Sequence, residues 1–243
     1  DDIGIEGQEK ILAAHAVVIG AGGLGSPAAL YLASAGVGRI TLVDGEEVDL
    51  TNLQRQIVHT TARVGSAKVD SARDALLAIN PGVEVVALHE RASAERLTDI
   101  VRGATVVLDC TDNFTTRHAL NRACFAHGVP LVSGAAIRFD AQLSVYDPRV
   151  ATSPCYACLF PEGQRFEDAA CSTMGVFAPL VGIAGSMQAA EALKLITGVG
   201  EPLTGRLSML DGRRMEWTTI AVARDPHCPT CKERGLSPAF SPP

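Results

Sequence analysis

Short apolar runs separated by longer amphipathic stretches set the pattern of the first half of this chain. Ala16-Val-Val-Ile19, Ile40-Thr-Leu-Val43, Val83 to Leu88, Thr105-Val-Val-Leu-Asp109 and Pro130-Leu-Val-Ser133 are brief and rich in β-branched residues, and they predict strands. Between them, apolar residues recur at helical spacing. Ser26 and Pro27 predict the N-cap and first residue of a helix that Gly36 ends. Ser66 predicts the cap of a helix with Val69, Ala72, Leu76 and Ile79 on one face, stopped at Asn80-Pro-Gly82. Ser93 opens another helix, and a further one follows Asn113 and ends by Gly128. This alternation predicts a doubly wound α/β fold with a mostly parallel, Rossmann-like sheet. Ligands of such a sheet sit beyond the carboxyl ends of the strands, where both Asp44 and Asp112 fall.

After Gly134 the pattern changes. Gln142-Leu-Ser-Val-Tyr146 alternates like a half-exposed strand. Pro161 to Ala170 is polar and aperiodic, and predicts a mobile crossing segment. Met174 to Ile196 reads as a long apolar helical region, rich in small residues through Gly182 and Gly185 and ending near Gly198. Leu207 to Leu210 and Trp217 to Ala223 predict a closing hairpin, an antiparallel C-terminal extension of the sheet. The expected organisation is a single unit over residues 1–236, with a crossover at 161–170 and a proline-rich, disordered tail at 237–243.

Composition narrows the class. Of 243 residues, 47% are hydrophobic and only 5% aromatic, a mixture suited to a parallel sheet under close-packed helices. A net charge of −6 argues against a general nucleic-acid binder. No apolar run approaches the roughly 20 residues of a membrane span, and no secretory signal is visible. The expectation is a soluble cytoplasmic protein that partners neither nucleic acid nor membrane.

Seven cysteines change the picture further. Cys155 with Cys158 and Cys228 with Cys231 form two Cys-x-x-Cys pairs, which predict a four-thiolate zinc site stapling distant segments. Redox pairs are the competing reading, but neither pair sits at the head of a helix in a thioredoxin-like unit. Cys110 and Cys124 read as core residues. His59 and His118 have no evident constellation.

The chemistry concentrates between Gly20 and Lys68. Gly20-Ala-Gly-Gly-Leu-Gly25 is a dinucleotide fingerprint that on its own carries little weight. Asp44 ends the next strand, where an acid binds ribose hydroxyls. Arg55 and Lys68 are cations that a nicotinamide site has no need of. A triphosphate losing pyrophosphate does need them, because its transition state gathers charge on the leaving oxygens. The residues therefore predict an ATP site. A structural reading stands beside each: Asp44 as a strand cap, Arg55 as a solvated loop residue, Asp112 as the head of an Asx-turn.

Together these residues resemble the MoeB/ThiF/HesA family, bacterial relatives of ubiquitin-activating enzymes. The resemblance runs through Gly20-Ala-Gly-Gly-Leu-Gly25, Asp44, Asn52-Leu-Gln-Arg-Gln56, Lys68, Cys110-Thr-Asp-Asn113, both cysteine pairs and the stretch from Cys171 to Lys194. It implies ATP-dependent adenylation of the C-terminal glycine of a ubiquitin-like sulfur carrier protein ending in Gly-Gly, in thiamine or molybdopterin biosynthesis. Carried over residue by residue, it implies a nucleotide turn of Gly20, Gly22, Gly23 and Gly25, with Gly23 approaching the phosphates. Asp44 would hold the ribose, and Asn52, Arg55 and Lys68, beside Gln56, the triphosphate. Asp112 would hold magnesium, and Asn113 would line the site. The resemblance also implies a homodimer, with a sulfurtransferase or cysteine desulfurase as sulfur source. Many members carry an Arg-Tyr-x-Arg-Gln segment, upstream of the stretch that corresponds to Asp1-Asp-Ile-Gly4, whose arginine crosses the dimer into the partner's ATP site; that segment is absent from this sequence.

Cys171 has two readings. One is a small buried residue at a helix start. The other is a thiolate, following a mobile segment, that meets the activated carboxylate. Two further functions compete with adenylation. A NAD-dependent oxidoreductase would explain the glycine turn and Asp44 but leave Arg55 and Lys68 without a task. A non-catalytic, zinc-stapled scaffold for a ubiquitin-like partner would leave the whole charged set without one.

Overall fold

In the computed structural model, which describes residues 2–163 and 175–232, the alternation read from the apolar runs is present. Helix α1 (Gly4–Ala13) leads into β1 (His15–Ile19), α2 (Gly25–Ala35), β2 (Arg39–Val43), α3 (Lys68–Ile79) and β3 (Glu84–Leu88). Then follow α4 (Ala94–Val101), β4 (Val106–Asp109), α5 (Phe114–His127) and β5 (Leu131–Ile137). The second half holds β6 (Asp140–Tyr146), the single turn α6 (Tyr156–Leu159), α7 (Ala178–Thr197), β7 (Arg206–Asp211) and β8 (Glu216–Ala221). All eight strands form one sheet in the order β3-β2-β1-β4-β5-β6-β7-β8. The pairings from β3 to β5 are parallel, and those from β5 to β8 are antiparallel.

Alternate residues of β1 enter two different cores, as the two-residue period of a strand requires. Ala16 and Val18 pack with α2, α3 and α7 on one face, while Val17 and Ile19 pack with α4 and α5 on the other. Both faces are covered, which is why these strands read as unbroken apolar runs. The same reason overturns the half-exposed reading of Gln142–Tyr146. In β6, Ala141 and every residue from Leu143 to Tyr146 are buried. β5 also outlasts its predicted Pro130–Ser133 stretch. Its second half, from Gly134 to Ile137, pairs with β6 beyond the reach of β4.

Helix starts and faces bring further corrections. Ser26 lies inside α2, where its hydroxyl donates back to the Gly22 carbonyl at 2.6 Å; Leu24 holds the cap position without a side-chain bond. Likewise Ala67, not Ser66, precedes α3 and offers no cap. By contrast, Ser93 and Asn113 cap α4 and α5 through Arg96 N–H and Thr116 N–H. Thus α2 and α3 begin with amide groups that no side chain satisfies. Ile79 is exposed, because at 3.6 residues per turn it falls about 60° from Leu76, at the margin of the apolar stripe. Helix α7 begins at Ala178 rather than near Met174, which lies outside the described residues, as do 164–170 of the predicted crossing segment, Cys171 and the tail from Ser237. Among the described residues no helix is long and apolar enough to cross a membrane.

Candidate active site and four-cysteine cluster

A cavity of about 1060 Å³ opens beyond the carboxyl ends of β1, β2 and β4, where the strand order reverses. The glycine turn forms one wall. Gly20 has φ +97°, which an L side chain resists, and a Cβ there would meet the Cys110 carbonyl at 2.7 Å. A Cβ on Gly25 would lie 1.8 Å from the Gly20 carbonyl, so this glycine lets α2 start hard against β1. Gly25 is therefore buried packing and does not line the cavity, whereas Gly20, Gly22 and Gly23 do.

Asp44 stands at the end of β2. Its two oxygens accept from Ala21 N–H and Glu46 N–H, each at 2.8 Å, which fixes the carboxylate against the turn. Arg55 and Gln56, from the segment between β2 and α3, and Lys68, the first residue of α3, also line the cavity. Asn52 does not line it. Its Oδ1 accepts from the Arg55 guanidinium at 2.6 Å, so it orients the arginine from behind. Lys68, 2% exposed, is paired with Glu46 at 2.6 Å. The Lys68 hydrogen bond holds the Glu46 carboxyl below the usual carboxylate range, and the Lys68 and Arg91 charges act in the same direction.

Asp112 and Asn113 line the opposite wall. Asp112 is exposed, and the Asx-turn in this loop belongs instead to Asp109, whose Oδ1 accepts from Thr111 N–H and Oγ–H. Beneath that wall lies a buried polar network that the sequence did not announce. Asp109 Oδ2 accepts from Ser133 at 2.9 Å and faces the Arg117 guanidinium at 3.8 Å. Burial opposes the charge on Arg117, but Asp109, Tyr156 and Asp112 together outweigh it and raise the guanidinium pKa. From α7, Gln188 Nε2 donates to the carbonyls of Asp109 at 2.7 Å and Val132 at 3.1 Å.

His59, assigned nothing from the sequence, is buried and bonded at both nitrogens. Nδ1 lies 2.9 Å from Ser71 Oγ and Nε2 lies 2.9 Å from the Ala21 carbonyl. Neither partner is close in sequence, so no local spacing could have revealed it. Glu46 left a faint signal, an acid two residues past Asp44 on the same loop. His118 packs edge-on against Tyr156 and faces Glu162 at 3.6 Å.

On the far face of the sheet, Cys155, Cys158, Cys228 and Cys231 converge. Their sulfurs all lie within 4.8 Å of one another. Cys155–Cys228 and Cys158–Cys231 are 3.5 Å apart and Cys155–Cys158 is 3.8 Å. A tetrahedral ion with bonds of about 2.3 Å to sulfur spaces its ligands by about 3.8 Å, so the cluster is able to hold a metal ion. Cys155 caps α6, and the first pair thus brackets one helical turn. The hydrogen bond with Cys155 holds the Cys158 thiol below its ordinary pKa, aided by the backbone N–H groups of Cys155 and Asp225, each at 3.4 Å. Cys110 and Cys124 are buried, with thiol pKa values pushed up by burial.

Residues 1–230 match the model of the ThiF family. The chain belongs to that family. This ThiF-family chain is 44% identical over 238 residues to the sulfur carrier protein ThiS adenylyltransferase of Escherichia coli K12, covering 98% of the chain and 94% of that protein. It is also 44% identical over 228 residues to the molybdopterin-synthase adenylyltransferase of Salmonella typhimurium LT2, covering 93% and 90%. Among solved structures, E. coli MccB with ATP superposes with a TM-score of 0.82 at 24% identity, covering 93% of this chain and 69% of that one. At that identity the likeness establishes the fold.

Proposed function

We propose that this ThiF-family chain is an ATP-dependent adenylyltransferase that activates the C-terminal glycine carboxylate of a ubiquitin-like sulfur carrier protein, ThiS-like or MoaD-like. One observation carries the reading: a ribose-type acid (Asp44), two cations (Arg55, Lys68) and a second acid (Asp112) share one cavity with the glycine turn. The two relatives at 44% identity act on ThiS or serve molybdopterin synthase, by their names. That tie leaves both carriers within the proposal.

In the proposed reaction a carrier carboxylate oxygen attacks the α-phosphorus of ATP, and the bond to the bridging oxygen breaks. Pyrophosphate leaves with the electron pair, and a mixed anhydride remains. Both reactants are anionic, so the residues must screen repulsion and receive charge on the departing group. Arg55, steadied by Asn52, and Lys68 do this, while Gly22 and Gly23 present backbone N–H groups at the start of α2. Asp44 holds the ribose, and Gln56 and Asn113 border the nucleotide. Asp112, an exposed carboxylate, would hold magnesium, which would neutralise phosphate charge. The cavity continues past Ala135, Ile137 and Gln142 on the antiparallel half of the sheet, giving an extended tail a place to lie.

The rest of the reading follows from the same family. Zinc would occupy the four-cysteine cluster. Residues 1–236 would act as one adenylating unit in a cytoplasmic homodimer, with a sulfurtransferase or cysteine desulfurase supplying sulfur. Cys171 would act after adenylation, on the activated carboxylate. Lys68→Ala and Arg55→Ala should each lower carrier-dependent exchange of labelled pyrophosphate into ATP by about 10²-fold. Wild-type exchange in both variants would remove the case for an ATP site.

A further inference from the structure

The two hydrogen bonds at His59 tie the glycine turn to α3. A carbonyl can only accept, so Nε2 carries the proton that goes to Ala21 O, and the Ser71 hydroxyl donates to Nδ1 of a neutral ring. Burial holds the imidazole below its ordinary pKa against the pull of the Ala21 carbonyl; Lys68 and Arg63 also lower it and Asp44 raises it. The ring is thus locked in one tautomer.

That lock has a consequence one peptide further on. Among the described residues no peptide is cis, so the N–H of Gly22 points opposite to the carbonyl of Ala21. With that carbonyl on His59, the Gly22 N–H is turned away from the imidazole. Neither the Gly22 nor the Gly23 N–H has an acceptor among the described residues, and both glycines line the cavity. Ser71 lies one helical turn from Lys68, so the same imidazole sets the glycine turn against the helix that carries the lysine.

We propose that His59 is a positioning residue for phosphate binding. Its Nε2–H pins the Ala21 carbonyl and so aims the Gly22 amide at the nucleotide's phosphates, while Ser71 holds the ring and the Lys68 helix in register with that turn. This rests on the nucleotide reading of the cavity. A space-filling histidine would give the same burial but no such directionality.

The test is calorimetric titration of the whole chain with magnesium-ATP and, separately, with adenosine. His59→Leu keeps the volume and removes the donor. It should weaken ATP by about tenfold or more, and leave adenosine within about twofold. His59→Gln restores an N–H at a similar reach and should recover most of the ATP affinity. Ser71→Ala frees the ring without removing the donor; it should weaken ATP about threefold, and it serves where the leucine variant does not fold. The proposal is overturned if His59→Leu binds ATP like wild type, if ATP and adenosine weaken together, or if Gln rescues nothing. Wild-type ATP affinity in Ser71→Ala overturns it as well. A wild-type chain that binds no ATP removes the nucleotide reading itself, and this inference with it.

Discussion

Lys68, the first residue of α3, places its Nζ 2.6 Å from Oε2 of Glu46, and the lysine is almost wholly buried while the glutamate is half exposed. A buried ammonium needs a counter-charge, and among the described residues Glu46 supplies it. Phosphates entering the cavity would offer Lys68 a second one.

Glu46→Ala should lower the melting temperature of the nucleotide-free chain, and saturating magnesium-ATP should recover more of that loss than it adds to wild type. The pH dependence has a definite sign. Lys68 depresses the Glu46 carboxyl, so its contribution is complete above the ordinary carboxylate pKa and fades as pH falls through the lowered value. Melting curves of wild type and variant should converge in acid and separate towards neutrality. A constant gap at all pH values would show that the pair contributes nothing.

Gln188 anchors α7 beneath the cavity. Its amide donates to two carbonyls and its Oε1 accepts the Cys110 S–H at 3.5 Å, all fully buried. Gln188→Leu keeps the bulk but removes a second donor from two carbonyls that the β4–β5 ladder also engages, and denaturant unfolding should show a loss of about 1–2 kcal/mol. A loss below about 0.5 kcal/mol would mean the network carries little stability.

The parallel strands and the place of the cavity could be read from the sequence, because β1, β2 and β4 are covered on both faces and betray themselves as apolar runs. Asp44 and Asp112 could be expected near one another, since each lies just beyond a strand end, and Arg55 and Lys68 joined them as the cations a triphosphate needs. What could not be read depends on long-range pairing. Ser26 and Ser66 resemble caps in isolation, yet the starts of α2 and α3 carry none. Gly134-Ala-Ala-Ile137 has little strand propensity and is drawn into β5 by β6. His59 gave no signal because Ser71 and Ala21 reach it only once α3 and the glycine turn have docked. Gln188 is one residue among many in an apolar helix, and only the fold turns it toward β4 and β5.

The cysteine cluster ties the segment after β8 to α6, on the face of the sheet away from α7. About one zinc per chain is expected by elemental analysis of gently purified protein. Cys228→Ser or prolonged chelation should lower the melting temperature without changing the affinity for ATP, since none of the four cysteines lines the cavity. Metal-free protein with unchanged stability, or a disulfide within either pair, would contradict this.

The most direct test of the whole account is exchange of labelled pyrophosphate into ATP in the presence of a ThiS-like or MoaD-like carrier. Adenylation is reversible only through the carrier's own carboxylate, so label should enter ATP with the intact carrier and fall to background when its terminal glycine is removed. Lys68→Ala should abolish nearly all of the signal with the intact carrier. Exchange that ignores the carrier, or its absence with every carrier ending in Gly-Gly while ATP still binds, would contradict the assignment.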